Sequence, residues 1–317
     1  MGIKGSIFRG VKNTILLRYL FLVPFYMFRF VYFSLRENSM LFFRYYPGYH
    51  GSTVPSYRYI RKENKRLFPK NIDYFDAVWM NEEEQKYLLE RFIDLYSDFS
   101  PSETKSQENL YYYKNDMFGF NDAFYLSCFL REYKPKRVIE IGSGFSSALM
   151  LDTDKKVALN SEFTFIDPYS KNIDDVLQSN PNGNYKLIRK EIQDVDLSAF
   201  SALEENDILF IDSSHVVKIG SDLSTILFKI IPALKKGVIV HFHDVWYPWE
   251  YPSSMLDDGR SYNEIYFIRA FLQYNSAFKV MLFGSYLEYR YKNLIESAMP
   301  NLLSRCTGKS LWIQKVS

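Results

Sequence analysis

A doubly wound α/β fold on a mainly parallel sheet is predicted by three features of the sequence. Five short apolar runs follow one another in the second half of the chain: RVIEI at 137–141, FTFID at 163–167, YKLIR at 185–189, DILFID at 207–212 and GVIVHF at 237–242. Their apolar residues are continuous where a half-exposed strand would alternate, as expected of parallel strands covered by helices on both faces. Spacings of roughly 20 to 30 residues from one run to the next leave room for a crossover helix each time. The first run ends on a glycine-bearing turn, Gly142-Ser143-Gly144, at the carboxyl end of a strand, where open α/β sheets bind their ligands.

The elements outside this array follow from the same rules. Asn81 ahead of Glu82, Glu83 and Glu84 reads as a helix N-cap with a capping-box glutamate. Tyr87, Leu88, Phe92 and Leu95 supply its apolar stripe, and the helix should end near Asp98. PSETKSQEN at 101–109 is a polar loop, and Phe124, Leu126, Phe129 and Leu130 mark a second helix closing before Pro135. After the fifth run come a helical stretch at 263–274 and two more strand candidates, 278–283 and 310–316, the last able to pair antiparallel.

The chain has 317 residues, and its 39 Lys and Arg against 37 Asp and Glu leave a net charge of +2. A hydrophobic content of 47% excludes a disordered chain. Cys128 and Cys306, the two cysteines, cannot make a disulfide framework or a cysteine-based zinc site, which fits a reducing, cytosolic setting. The charge is unevenly spread: residues 1–70 carry 13 Lys and Arg against Glu37 and Glu63, or +11, and residues 71–317 carry 26 against 35, or −9. Three segments are therefore expected: a basic, aromatic extension at 1–70, a helical lead-in at 71–134 and the α/β domain at 135–317.

Within the extension, the apolar stretch 15–35 is interrupted by Arg18, Arg29 and Pro24, which argues against a spanning helix. It also lacks the cleavage site of a removed leader. On a helix Arg18, Arg29 and Arg36 share one side, a pattern suited to peripheral contact with an anionic membrane at its inner, cytoplasmic face. The alternative is a helix packed on the protein's own core or on a second subunit in a homo-oligomer. Arg58, Arg61, Lys62, Lys65, Arg66 and Lys70 continue the charge, in a run short enough to be a solvated face, and no nucleic-acid partner is expected.

A cofactor is expected at the glycine turn, because an opening helix presents unpaired N–H groups there. Asp167 ends the next strand 23 residues beyond Gly144, the distance at which an acid can accept from ribose hydroxyls. A dinucleotide fingerprint would need a third glycine at 147, where Ser147 stands. VIEIGSGFSS resembles the first motif of class I S-adenosylmethionine-dependent methyltransferases, E/D-x-G-x-G-x-G, with Ser146 in place of the last glycine. FIDSSH and VIVHFHD resemble the branch that includes macrolide sugar O-methyltransferases and bacterial polysaccharide-cluster proteins. The resemblance spans about residues 110–317. It implies a Rossmann-like seven-stranded sheet of order 3-2-1-4-5-7-6 with the last strand antiparallel. It further implies S-adenosyl-L-methionine as cofactor, with Gly142 and Gly144 against its methionine part, Glu140 fixing the loop and the amino group, Asp167 on the ribose and Asp194 near the adenine amine.

Three of the four histidines fall at the ends of the fourth and fifth runs, in Asp212-Ser-Ser-His215 and His241-Phe-His243-Asp244. His241 and His243 should share a face, Asp244 should open the loop facing the cofactor, and Asp212 should lie close to Asp244. Asp212, His243 and Asp244 could then hold a divalent cation that polarises an acceptor hydroxyl. Related sugar methyltransferases resemble magnesium enzymes at these positions, so Mg2+ is carried as a second cofactor, with His243 where an acid often stands. His215 is the candidate general base, its alternative a role near a helix cap. Trp246, Tyr247, Trp249 and Tyr251, beside Glu250, Asp257 and Asp258, are read as stacking faces for a sugar or glycan acceptor or as a structural lid. The expected function is O-methylation of a sugar or glycan hydroxyl, with a hydroxylase-like oxidoreductase on the same fold and a non-catalytic, membrane-docked scaffold as rivals.

Overall fold

The structure, a computed structural model, describes residues 23–25, 27, 28, 31, 48–68, 77–106, 108–169, 172–178, 183–257, 260–305 and 308–317. It forms two compact units, Met1–Asn64 and Lys65–Ser317. In the first, the described residues between 23 and 31 are helical, and Val23, Phe25, Met27, Phe28 and Val31 are exposed. A short helix, Tyr57–Lys62, is capped by Ser56, whose hydroxyl accepts from the Tyr59 N–H at 3.2 Å. Arg18, Arg29, Arg36 and Lys70 lie outside the described residues. Among the described residues no helix is long and apolar enough to cross a membrane.

The second unit holds a seven-stranded sheet: β1 (Arg137–Ile141), β2 (Glu162–Ile166), β3 (Tyr185–Ile188), β4 (Ile208–Ile211), β5 (Ile239–Phe242), β6 (Phe278–Phe283) and β7 (Leu311–Lys315). Their order is β3-β2-β1-β4-β5-β7-β6, with β7 antiparallel to both neighbours and β1 to β5 parallel. β4 and β5 are buried at every position, as their unbroken apolar runs require.

Helices cover the sheet. α1 (Glu82–Tyr96) packs on α2 (Phe120–Tyr133), and α3 (Phe145–Val157) opens directly after the glycine turn. Phe92 of α1 meets Phe129 of α2 edge-on at 5.4 Å, and Phe129 stacks on Trp312 of β7 at 3.8 Å, so three layers share one aromatic column. The expected cap at Asn81 differs: it has a left-handed backbone and its side chain makes no cap bond. The Asn81 amide donates instead to Glu84 at 2.6 Å and to the Val280 carbonyl of β6 at 3.0 Å, tying α1 to the sheet edge. The stretch expected as helix at 263–274 is α4 (Glu264–Leu272).

Candidate functional site

Backbone bonds draw the residues that follow four strands into one row. Gly142 N–H donates to Ile166 O at 3.0 Å, Asp167 N–H to Ile188 O at 3.1 Å, Asp212 N–H to Ile141 O at 2.9 Å and His243 N–H to Ile211 O at 2.9 Å. Gly142 is held at φ +86°, and a Cβ there would stand 1.8 Å from the Asp212 carbonyl oxygen, so only glycine permits this approach. A Cβ on Gly144 would meet nothing within 4 Å, leaving open space above the start of α3.

Glu140 lies beneath the turn, fully buried, and accepts from the Ser146 and Ser147 hydroxyls, one on each oxygen. Burial pushes its carboxyl up to about 8, the two serine hydrogen bonds pulling partly the other way. Ser147 also accepts from the Gly144 N–H at 3.0 Å. The serines at 146 and 147 thus clamp the turn to Glu140, which explains why neither position needs a glycine. With no exposed surface, Glu140 acts from underneath the turn.

Two adjoining cavities open along this row, sharing Gly142, Asp167, Asp212 and Ser213. One, of about 630 Å³, runs past Asp167 and Tyr169 to Glu191, Ile192 and Gln193. Asp167 accepts from the Ser143 N–H at 3.0 Å and the Tyr169 N–H at 2.8 Å, bridging the turns after β1 and β2. Asp194 requires a correction. It closes the short 3-10 turn Ile192–Asp194, is exposed, and does not line the cavity, whereas Ile192 and Gln193 do.

The other cavity, of about 690 Å³, is lined by Gly144, Asp212, His215, His243, Asp244, Arg260, Tyr262 and Lys309. Its centre is His215, a buried non-glycine residue at φ +60°, a conformation common where structure is imposed at functional sites. Nδ1 stands 2.7 Å from Glu264 Oε2, and Nε2 stands 3.3 Å from Asp212 Oδ1 and 3.7 Å from Asp244 Oδ2. Burial alone would lower the imidazole pKa, but hydrogen bonds to Asp212 and Glu264, and their charges, hold it well above the usual histidine range. His215 is thereby favoured in its protonated form, which weighs against the general-base role expected of it. Burial raises the Asp212 carboxyl, but His243 and His215 outweigh it and bring it down to about 2. Glu264, contributed by α4, is pushed up by burial and pulled partly back by His215.

The expected metal set is also corrected. Asp212 and Asp244 do come together, each within 4 Å of His215. Each, however, faces a protein cation: Asp212 has His215, and Asp244 Oδ1 has the Lys309 ammonium at 3.3 Å. His243 Nε2 lies 3.7 Å from Asp244 Oδ1, and neither of its ring nitrogens has a hydrogen-bond partner. Among the described residues no group of three or more His, Cys, Asp or Glu side chains is arranged to hold a metal ion, so Asp212, His243 and Asp244 do not fit Mg2+. His241 and His243 share a face with rings 5.9 Å apart, and His241 is a packed core residue stacked on Phe210 at 4.0 Å, its pKa driven well below the usual range by burial.

The aromatic loop after β5 packs inward. Trp246, Trp249 and Tyr251 are buried, Trp249 lies against Phe283, and none of the three lines the cavity. The aromatic side chains that do line it include Phe118, Phe145 and Tyr262. Glu264 and Lys309 carried no signal in the sequence. They reach the site through α4 and the start of β7, and nothing local marks either.

Comparison with known proteins agrees with this frame. Residues 139–245 match the family model described as a methyltransferase domain. An uncharacterized protein of Archaeoglobus fulgidus is 34% identical over 169 residues, covering 51% of this chain and 75% of the relative. The chain belongs to one family with that protein, and its residues 139–245 carry the match to a methyltransferase domain. Among solved structures, a methyltransferase of Podospora anserina with bound S-adenosylhomocysteine is 16% identical with a TM-score of 0.41, covering 84% of this chain and 100% of that one. The O-methyltransferase TomG of Streptomyces achromogenes, involved in tomaymycin synthesis and in complex with SAM, is 10% identical with a TM-score of 0.39, covering 82% and 96%. Likenesses this distant carry no part of the family membership, which rests on the archaeal relative.

Proposed function

We propose that the protein methylates a hydroxyl of a sugar or glycan, with Asp244 taking the hydroxyl proton. The observation that carries this reading is the Asp244 carboxylate. It lines the same cavity as the glycine turn, and its buried Oδ1 has an ion-pair contact with Lys309 at 3.3 Å in place of a hydrogen bond. When bound, the cofactor's sulfonium supplies the methyl group, and the C–S electron pair stays on sulfur. Gly142 and Gly144 would leave room for its methionine part, Asp167 would accept from its ribose, and Glu191 to Gln193 would border its adenine. Asp244 orients the acceptor hydroxyl and takes its proton as the new C–O bond forms. His215 holds Asp212 and Asp244 in place, with Glu264 behind it. A lining that mixes Asp116, Ser213 and Arg260 with Phe118, Phe145 and Tyr262 suits a sugar, whose hydroxyls and C–H faces need both.

The test is calorimetric titration with S-adenosylmethionine and S-adenosylhomocysteine, followed by transfer of labelled methyl to simple glycosides and polysaccharide precursors. Micromolar binding and a labelled methyl ether on a sugar are expected. No binding at millimolar concentration would sink the reading, and label confined to phenols or amines would remove the sugar. The exposed Val23, Phe25, Met27, Phe28 and Val31 support resting the N-terminal segment on an anionic membrane, where a lipid-linked acceptor would lie. Equal co-sedimentation of the full chain and residues 71–317 with anionic vesicles would refute that.

A further inference from the structure

Resting on the hydroxyl-methylation reading, we infer that Lys309 is the site's built-in cation. Its ammonium occupies the place beside Asp244 that a divalent metal would take, and it meets the acceptor oxygen there. Three observations converge on this residue. Its Nζ stands 3.3 Å from Asp244 Oδ1, its side chain is one-quarter exposed, and it lines the cavity shared by Asp212, His243 and Asp244. Its backbone is fixed from both sides: the Lys309 N–H donates to Asp122 Oδ1 at 2.7 Å, and its carbonyl accepts from the Val245 N–H, next to Asp244, at 3.0 Å. The flanking residues are pinned as well, Ser310 to Asp122 and Gly308 to Glu288, both at 2.7 Å. The stem lies near the Trp246 ring, with Nζ 5.9 Å from the ring centroid, so an aromatic face supports the ammonium from the side.

With Asp212 already facing His215, a metal entering the site would have to displace Lys309 from Asp244. Removing Lys309 would leave Asp244 and the hydrogen-bond-free His243 facing the cavity, with Asp212 close by. In the reaction, the acceptor O–H bond breaks with its proton on Asp244 while the oxygen forms the C–O bond to the methyl. The C–S pair departs on the sulfur of S-adenosylhomocysteine. The Lys309 ammonium donates a hydrogen bond to that oxygen as its O–H bond weakens, a charge-fixed donor that needs no reorganisation.

The experiment uses the full chain saturated with S-adenosylhomocysteine and titrated with Mn2+, free ion being read by electron paramagnetic resonance. Wild type is expected to leave the free-ion signal unchanged at stoichiometric Mn2+. Lys309→Met should take up Mn2+ at least about tenfold more tightly, and adding Asp244→Asn should abolish that uptake. Lys309→Arg, which keeps the charge, should behave as wild type. Stoichiometric uptake by wild type, or a folded Lys309→Met protein that takes up none, would overturn the inference. Melting temperature establishes folding, and Lys309→Gln carries the same test if the methionine variant is unfolded. With a glycoside methylated by wild type, Lys309→Met should lose about 10²- to 10³-fold in kcat with little change in KM. Failure to bind S-adenosylhomocysteine at all would strike the methyltransferase reading, whereas binding accompanied by stoichiometric Mn2+ uptake would strike only the role of Lys309.

Discussion

In the proposed function, the cofactor side of this cleft, after β1, and the acceptor side, after β4 and β5, are built on opposite principles. After β1, one buried carboxylate, Glu140, is satisfied by neutral hydroxyls six and seven residues away, and the turn it holds is shaped by a glycine. After β4 and β5, several charges meet: Asp212, His215 and Asp244 are joined by Glu264, 49 residues beyond His215, and by Lys309 at the start of the last strand. The first arrangement fixes a backbone. The second fixes protonation states, because ionised groups in a confined site set one another's charge over several ångströms. A change on the cofactor side should therefore be felt in folding and cofactor binding, and one on the acceptor side in turnover and its pH dependence.

The largest effect is expected at Gly142. Gly142→Ala adds a Cβ at 1.8 Å from the Asp212 carbonyl at a positive φ and should cost about 3–5 kcal/mol, with loss of S-adenosylhomocysteine binding by calorimetry. Gly144→Ala meets open space and should melt near wild type while binding the cofactor more weakly. A Gly144→Ala protein as unstable as Gly142→Ala would erase the contrast. Asp244→Asn should next lose about 10²- to 10⁴-fold in turnover with cofactor affinity kept. If affinity falls in parallel, the two sides are not separable.

Glu264→Gln removes one of the carboxylates that hold the His215 cation and should cost about 1.5–3 kcal/mol. The raised His215 pKa contributes stability that is complete below the ordinary imidazole range and is lost as pH rises through the folded-state value. The variant should therefore shift the alkaline fall in both stability and activity to lower pH. An unmoved alkaline limb would assign that limb to another group. A slope rather than a step is expected at Glu140, whose carboxyl rises from 4.5 to about 8 on folding. A raised acid stabilises at low pH, so wild-type melting temperature should decline between about pH 4.5 and about 8. Glu140→Gln should flatten that slope while leaving the acceptor-side pH profile in place.

Most of the sheet was legible because each strand writes its burial locally. Every run read as a strand is one, to within a residue or two at its ends, and the resemblance supplied the order in which they pair. The glycine turn and Asp167 were legible for the same reason, their spacing being set by one strand, one helix and the next strand. The charge states were not. His215 reads as a base in the sequence, and is favoured as the protonated form by Asp212, three residues away, together with Glu264, which only the fold brings to it from α4. The metal reading of Asp212, His243 and Asp244 failed alike, because Lys309 enters from β7, after the α4–β6 excursion. The aromatic loop misled in the other direction, since composition does not say which face of Trp246 or Trp249 packs inward.

The amino-acid sequence by itself determined the fold class, the strand candidates and the place of the glycine turn, all of which follow from periodicity and short-range spacing. Only the tertiary structure decided which acid at the far end of the cleft is answered by which cation, and that Asp194 stands outside it. Hydrophobic burial is recorded residue by residue along a chain. The protonation and pairing of buried charges depend on through-space distances that only the folded sheet establishes.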